Sequence, residues 1–182
     1  VAGSSQQHAP AGTTWATATL KYDALGNRLW THRFGAAGGT SNPCRVATDA
    51  AGNVWVTGDA VPLPAWDNAT TLVKLDPSGS LLWQRDTAPA VAYALEVDAS
   101  GRAFVAGYVD GGQYPGGEQY DWQTWAYDPE GNQVWMALYD APPTGTWDFA
   151  MALALDSAGR VLVTGSSEQV FPVSTCTTIQ YE

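Results

Sequence analysis

Basic residues are scarce in this sequence. Lys and Arg total 8 against 18 Asp and Glu in 182 residues, giving a net charge of −10. They never cluster, so nothing is present to track a phosphate backbone, and nucleic acid is excluded as a partner. Cysteine is nearly absent. Cys44 and Cys176 are far apart, too few for a disulfide framework and without metal-ligand spacing; they read as buried free thiols, with a bridge as the alternative. No apolar run approaches the ~20 residues that cross a bilayer, so no membrane span is expected. No charged-then-apolar leader is visible either, although the chain begins inside a repeat and a leader upstream could have been removed. No window sustains a 3.6-residue apolar period, which leaves almost no helix. Histidine is limited to His8 and His32, neither with a Ser, Cys or acid partner at an interpretable spacing. No H-E-x-x-H, C-x-x-C, P-loop or dinucleotide glycine motif appears. No catalytic residue is assigned, and the balance leans away from an enzyme.

What is there is repetition. Asp49-Ala-Ala-Gly-Asn-Val-Trp-Val-Thr-Gly58 recurs as Asp98–Gly107 and Asp156–Gly165, and Val1-Ala-Gly3 is the tail of a fourth copy. Each has an acidic turn, a short apolar run and a glycine where the run stops. A second element alternates with it: Thr19–Trp30, Leu72–Trp83 and Thr124–Trp135, with Thr178–Glu182 as a shortened fourth. Each is a strand, a D-x-x-G turn and a second strand carrying Trp four residues after the glycine. In Asp-Pro-x-Gly, proline occupies the turn's second position and glycine the place where a positive φ is wanted, which predicts a tight hairpin. Asp23, Asp49, Asp76, Asp98, Asp128 and Asp156 all sit in such turns, where a carboxylate caps backbone N–H groups.

The turn acids of the second element fall at 23, 76, 128 and 182. A repeat of about fifty residues holding four short strands predicts an all-β fold of antiparallel β-propeller blades. With strands A to D numbered outward, the chain divides into a partial blade B-C-D (1–34), full blades at 44–86 and 90–139, and a partial blade A-B-C (148–182). Trp30, Trp83 and Trp135 recur once per blade and are assigned to packing between blades. Blades open at both ends would expose unpaired backbone. The expectation is therefore a segment of a larger propeller, its end blades completed by strands from the parent protein or another chain; the alternative is a four-bladed ring that closes on its own truncated blades.

Residues Asp49–Gly58 and Lys74–Trp83 resemble, almost letter for letter, the two elements of the bacterial beta-propeller repeat family. More distantly, the D-x-x-G-N-V-W-V-T stretch is similar to streptogramin-lyase-like propellers. Sialidase Asp-boxes differ, with shorter Asp–Gly and Gly–Trp intervals. The resemblance implies the fold and a secreted or cell-surface bacterial protein acting as scaffold or binding module. Its alternative is a fragment of an extracellular enzyme, lyase or glycoside-active, with catalytic residues partly outside this chain.

On that frame the two short turns of each blade project from one face. The B–C connections (4–17, 59–69, 108–122, 166–175) and D–A connections (35–43, 86–90, 139–148) project from the other, where variable loops on a rigid scaffold usually bind. Three aromatic–acid pairs stand out there: Trp66-Asp67-Asn68, Tyr120-Asp121-Trp122 and Trp147-Asp148, with Tyr114 nearby. They form either a surface that stacks a sugar ring or holds a peptide, or caps that pack blade ends. Asp148 also stands where the repeat family carries an acidic residue, which the resemblance makes structural. Glu118 and Asp121 are the acid pair a glycosidase would use. No cofactor is implied. A Ca²⁺ site needs several closely spaced oxygens; no D-x-D-x-D run exists, and Asp110, Glu118 and Asp121 are the set that shares one loop.

Overall fold

A computed structural model describes residues 1–9, 12–34, 40–61, 69–87, 90–114, 117–140, 147–170 and 173–181. Among these there is no helix. The first sheet holds β1 (Ala2–Ala9), β2 (Gly12–Tyr22) and β3 (Arg28–Phe34), and the second β4 (Thr40–Thr48), β5 (Val54–Val61), β6 (Ala69–Leu75) and β7 (Leu81–Thr87). The third holds β8 (Ala90–Val97), β9 (Ala103–Tyr114), β10 (Gly117–Tyr127) and β11 (Gln133–Tyr139). The fourth holds β12 (Asp148–Leu155), β13 (Val161–Val170) and β14 (Val173–Tyr181). Every sheet is antiparallel and its strands are neighbours in chain order. The chain divides into two compact units, Val1–Pro89 and Ala90–Glu182, with two sheets in each.

The D-x-x-G segments build the turns. In all six the glycine takes φ between +78° and +88°, its N–H bonds back to the Asp carbonyl, and the Asp N–H bonds to the carbonyl four residues on. Each carboxylate receives the N–H of that same fourth residue. At Asp23, Asp76, Asp98, Asp128 and Asp156 it also receives the N–H two residues on. Only glycine adopts the left-handed conformation without a steric cost, so the spacing of Asp and Gly alone dictates the bend.

The second glycine of the repeat does something other than end a strand. β5, β9 and β13 run on past Gly58, Gly107 and Gly165. These glycines lie beside irregularities in the neighbouring strand, at Pro43/Arg45, Ala92/Ala94 and Ala150/Ala152. A Cβ built at Gly107 would fall on the Val91 carbonyl oxygen, and one at Gly165 on that of Phe149. The bulge pushes backbone into the space a side chain would fill.

The described residues of the B–C connections are accordingly strand where loop was expected. Residues 108–114 and 117–122 belong to the upper part of a β9–β10 pairing that runs from Tyr127↔Ala103 to Gly117↔Tyr114. Residues 4–9 and 12–17 pair similarly, with Ala9 opposite Gly12. Alternating Thr, Ala and aromatic residues favour this extension, and glycines within the segment do not prevent it.

Packing follows strand alternation. In the first unit, Ala2, Trp30 and Phe34 of the first sheet meet Val54, Val56, Val73 and Leu75 of the second. Trp30 donates its Nε1–H to the Pro77 carbonyl at 3.0 Å and lies over Gly79, where a Cβ would come within 2.6 Å of the indole. On the other side of the second sheet, Trp55 is fully buried, edge-on to Trp83 at 5.0 Å. The Lys74 ammonium sits 4.6 Å from the Trp55 ring and 3.8 Å from Asp49. In the second unit, Phe104, Ala106, Trp122 and Ala126 of the third sheet pack against Ala150, Val161 and Val163 of the fourth. Trp135 reaches Tyr181 there, ring to ring at 5.5 Å.

Cys176 is an exposed free thiol, not a buried one. It lies on β14, whose side chains alternate between exposed and half-buried positions, and its place in that alternation faces solvent. The side chain of Cys44 lies outside the described residues.

Candidate functional site

The end of the second unit opposite its turns gathers two of the three aromatic–acid pairs. A parallel bridge joins Tyr120 on β10 to Trp147 just ahead of β12. In a parallel pairing, matched residues share a face and the next residues share the other. Aromatic therefore falls beside aromatic, and Asp121 beside Asp148.

The aromatic side is a cluster of four rings. Tyr120 meets Trp147 at 6.0 Å and Phe149 at 5.8 Å, and Tyr108 meets both Tyr120 and Phe149 edge-on at 5.0 Å. Trp147 is 49 % exposed. Trp122 departs from the expected surface position: it is fully buried, edge-on to Tyr139 at 5.5 Å within the core. Tyr114 ends β9, with its side chain outside the described residues, as is that of Glu118. Trp66, Asp67 and Asn68 lie outside the described residues altogether.

The acid side is sharper than the sequence suggested. Asp121, Asp148 and Asp140, the residue after β11, place carboxylate oxygens within 4.8 Å of one another. Asp121 is 6 % exposed and Asp148 fully buried. Gln119, itself 1 % exposed, donates its Nε2–H to Asp121 Oδ1 at 2.6 Å. Burial pushes the Asp121 carboxyl up; the Gln119 hydrogen bond opposes this, while the charges of Asp140, Asp148 and Asp110 push it further. Asp140 and Asp148 come in from neighbouring segments to join Asp121, one member of the suggested Ca²⁺ set; the charge of Asp110 also reaches Asp121, and the side chain of Glu118 lies outside the described residues. Asp140 had a signal that went unread. It follows Tyr139, making a further aromatic–acid dipeptide, but Tyr22-Asp23 and Tyr127-Asp128 share the pattern at ordinary turns.

The turn aspartates behave in the opposite way. Hydrogen bonds from Asn27 hold Asp23 below the usual carboxylate range, and those from Ser78 and Ser80 do the same for Asp76. At Asp98 burial works upward, but bonds from Ser100 and Arg102 prevail and the pKa is lowered. His32 is half-buried against Phe34, at 6.5 Å, and burial lowers its pKa despite a bond to the Gly79 backbone. In the first unit, a cleft of about 480 Å³ lined by residues including Leu20, Trp30, Val46 and Val54 contains no acid–base pair.

No family model matches the chain, and no curated protein matches it in sequence. Among solved structures it is similar to a protein of unknown function from Bacteroides caccae, at 13% identity and a TM-score of 0.48, over 90% of this chain and 50% of that one. The chain thus spans about half the length of that protein.

Proposed function

We propose that the chain is a β-propeller segment of a secreted or cell-surface bacterial protein, working as a non-catalytic scaffold and binding module. Its ligand contact lies on the face that carries Tyr120 and Trp147. Three features support the propeller reading: the resemblance of both repeated elements to bacterial propeller repeats, the four antiparallel sheets in chain order, and the face-to-face packing of sheets within each unit. The first and fourth sheets have three strands where the others have four. A strand from the rest of the protein, or from another chain, completes each of them.

The observation that carries the binding reading is Trp147: a half-exposed indole braced by Tyr120 and Phe149. A large aromatic held rigidly at the surface loses little entropy on contact and offers a flat face to a sugar ring or a peptide side chain. The enzyme alternative draws on the raised pKa of Asp121. Against it, Asp121 and Asp148 are both buried, which closes them to a glycosidic oxygen. Among the described residues no helix is long and apolar enough to cross a membrane.

The test is a glycan and peptide array probed with the chain and with Trp147→Ala. The expected result is a carbohydrate or peptide hit weakened at least about tenfold by the substitution, as for truncation of an aromatic anchor. No hit on either array, or a hit indifferent to Trp147, would end this reading.

A further inference from the structure

Three carboxylates from three separate segments meet in the second unit, and the polar groups around them are left incomplete in a particular way. Ser167 is fully buried and its Oγ has no hydrogen-bond partner. It lies directly across the β12–β13 pairing from Asp148, and residues opposite one another in an antiparallel pair point to the same face. Its hydroxyl is thereby directed to the side on which Asp148 meets Asp121 and Asp140.

Gln119 commits its Nε2–H to Asp121, and this fixes the orientation of the amide; its Oε1 is left buried and without a donor. Asp140 Oδ1 is likewise shielded from water with no donor. Buried polar atoms are almost always satisfied. Here the unsatisfied ones are oxygens grouped around a concentration of negative charge. At Asp121 the neighbouring charges of Asp140, Asp148 and Asp110 all disfavour the ionised form.

We propose that Asp121, Asp140 and Asp148 form a divalent-cation site selective for Ca²⁺, with Gln119 Oε1 and Ser167 Oγ as the neutral oxygens of the same site. The donor set is oxygen throughout, which suits a hard cation and disfavours zinc or copper. The number of protein oxygens favours the larger ion, because Ca²⁺ takes about six to eight oxygen ligands in flexible geometry whereas Mg²⁺ dehydrates reluctantly and usually keeps several waters. The carboxylates lie within 4.8 Å of one another. The site is independent of the Trp147 surface, because the acids occupy the other side of the Tyr120–Trp147 bridge.

The experiment is calorimetric titration of EDTA-stripped protein with CaCl₂ and, separately, MgCl₂, alongside thermal melts. One Ca²⁺ per chain is expected. At a hundred times Kd the melting temperature should rise by roughly 5–10 °C, with Mg²⁺ binding more weakly. Asp140→Asn should weaken Ca²⁺ binding at least about tenfold, yet melt no lower than the parent in EDTA, because one of three mutually repelling charges is gone. Asp121→Asn serves as the second variant should the first fail to fold. No calcium heat and no shift in the parent would overturn the site and leave the acids as a proton-sharing cluster. Calcium affinity unchanged in both variants would overturn it as well, by placing the ion elsewhere.

Discussion

Aspartate occurs in two settings in this molecule, and the contrast between them separates what is local from what is assembled. At the turns, each carboxylate meets backbone donors within four residues of its own position, and a lowered pKa is the result. At the opposite end of the second unit, Asp121, Asp140 and Asp148 meet one another, and the pKa of Asp121 is raised. The residue type is the same. The first set stabilises the fold through hydrogen bonds; at Asp121 burial, and after it the neighbouring carboxylates, disfavour the charged form.

The largest effect that breaks this comparison comes from the turn backbone. Gly79→Ala forces a side chain into φ +88° and against Trp30, and is expected to cost about 2–4 kcal/mol in urea denaturation. A neutral result would show that the turn bends readily without its glycine. Next is Asp98→Ala, which removes the acceptor for the Ser100 and Arg102 N–H groups and the Arg102 side chain. A loss of about 1–2 kcal/mol is expected; a change within error would mean that water replaces the carboxylate at no cost.

The smallest effect sharpens the comparison through its sign. A lowered carboxylate such as Asp98 contributes stability that is present above the unfolded pKa and lost as pH falls through the folded one. The raised Asp121 does the reverse: its contribution is full below the unfolded pKa and fades as pH rises through the raised value. In EDTA, raising the pH above the ordinary carboxylate range should therefore destabilise the parent relative to Asp121→Asn. Parallel stability profiles for the two proteins would refute the raised pKa.

This contrast also explains which parts of the structure could be read from the chain. The D-x-x-G turns, the strands flanking them and the absence of helix were legible, because the determinants lie within a few residues. The continuation of strands past Gly58, Gly107 and Gly165 was not, because the need for glycine there comes from a bulge in another strand. Residues 108–122 read as a loop by composition, yet 108–114 and 117–122 pair as antiparallel strands. At the candidate site, the Tyr120-Asp121 and Trp147-Asp148 pairs were visible, but not the bridge that sets them side by side. Trp122 looked like a third member of that surface and belongs to the core.

The self-contained bonding of each D-x-x-G turn has a consequence for how such a chain can arise. A motif whose bend is closed by backbone bonds inside its own five residues survives being copied to a new place, so gene duplication can lengthen the protein without redesigning what already exists. The Asp121–Asp140–Asp148 grouping cannot be inherited in that way. It requires three segments to change in concert, which is why it occurs once among the described residues while the turn recurs six times.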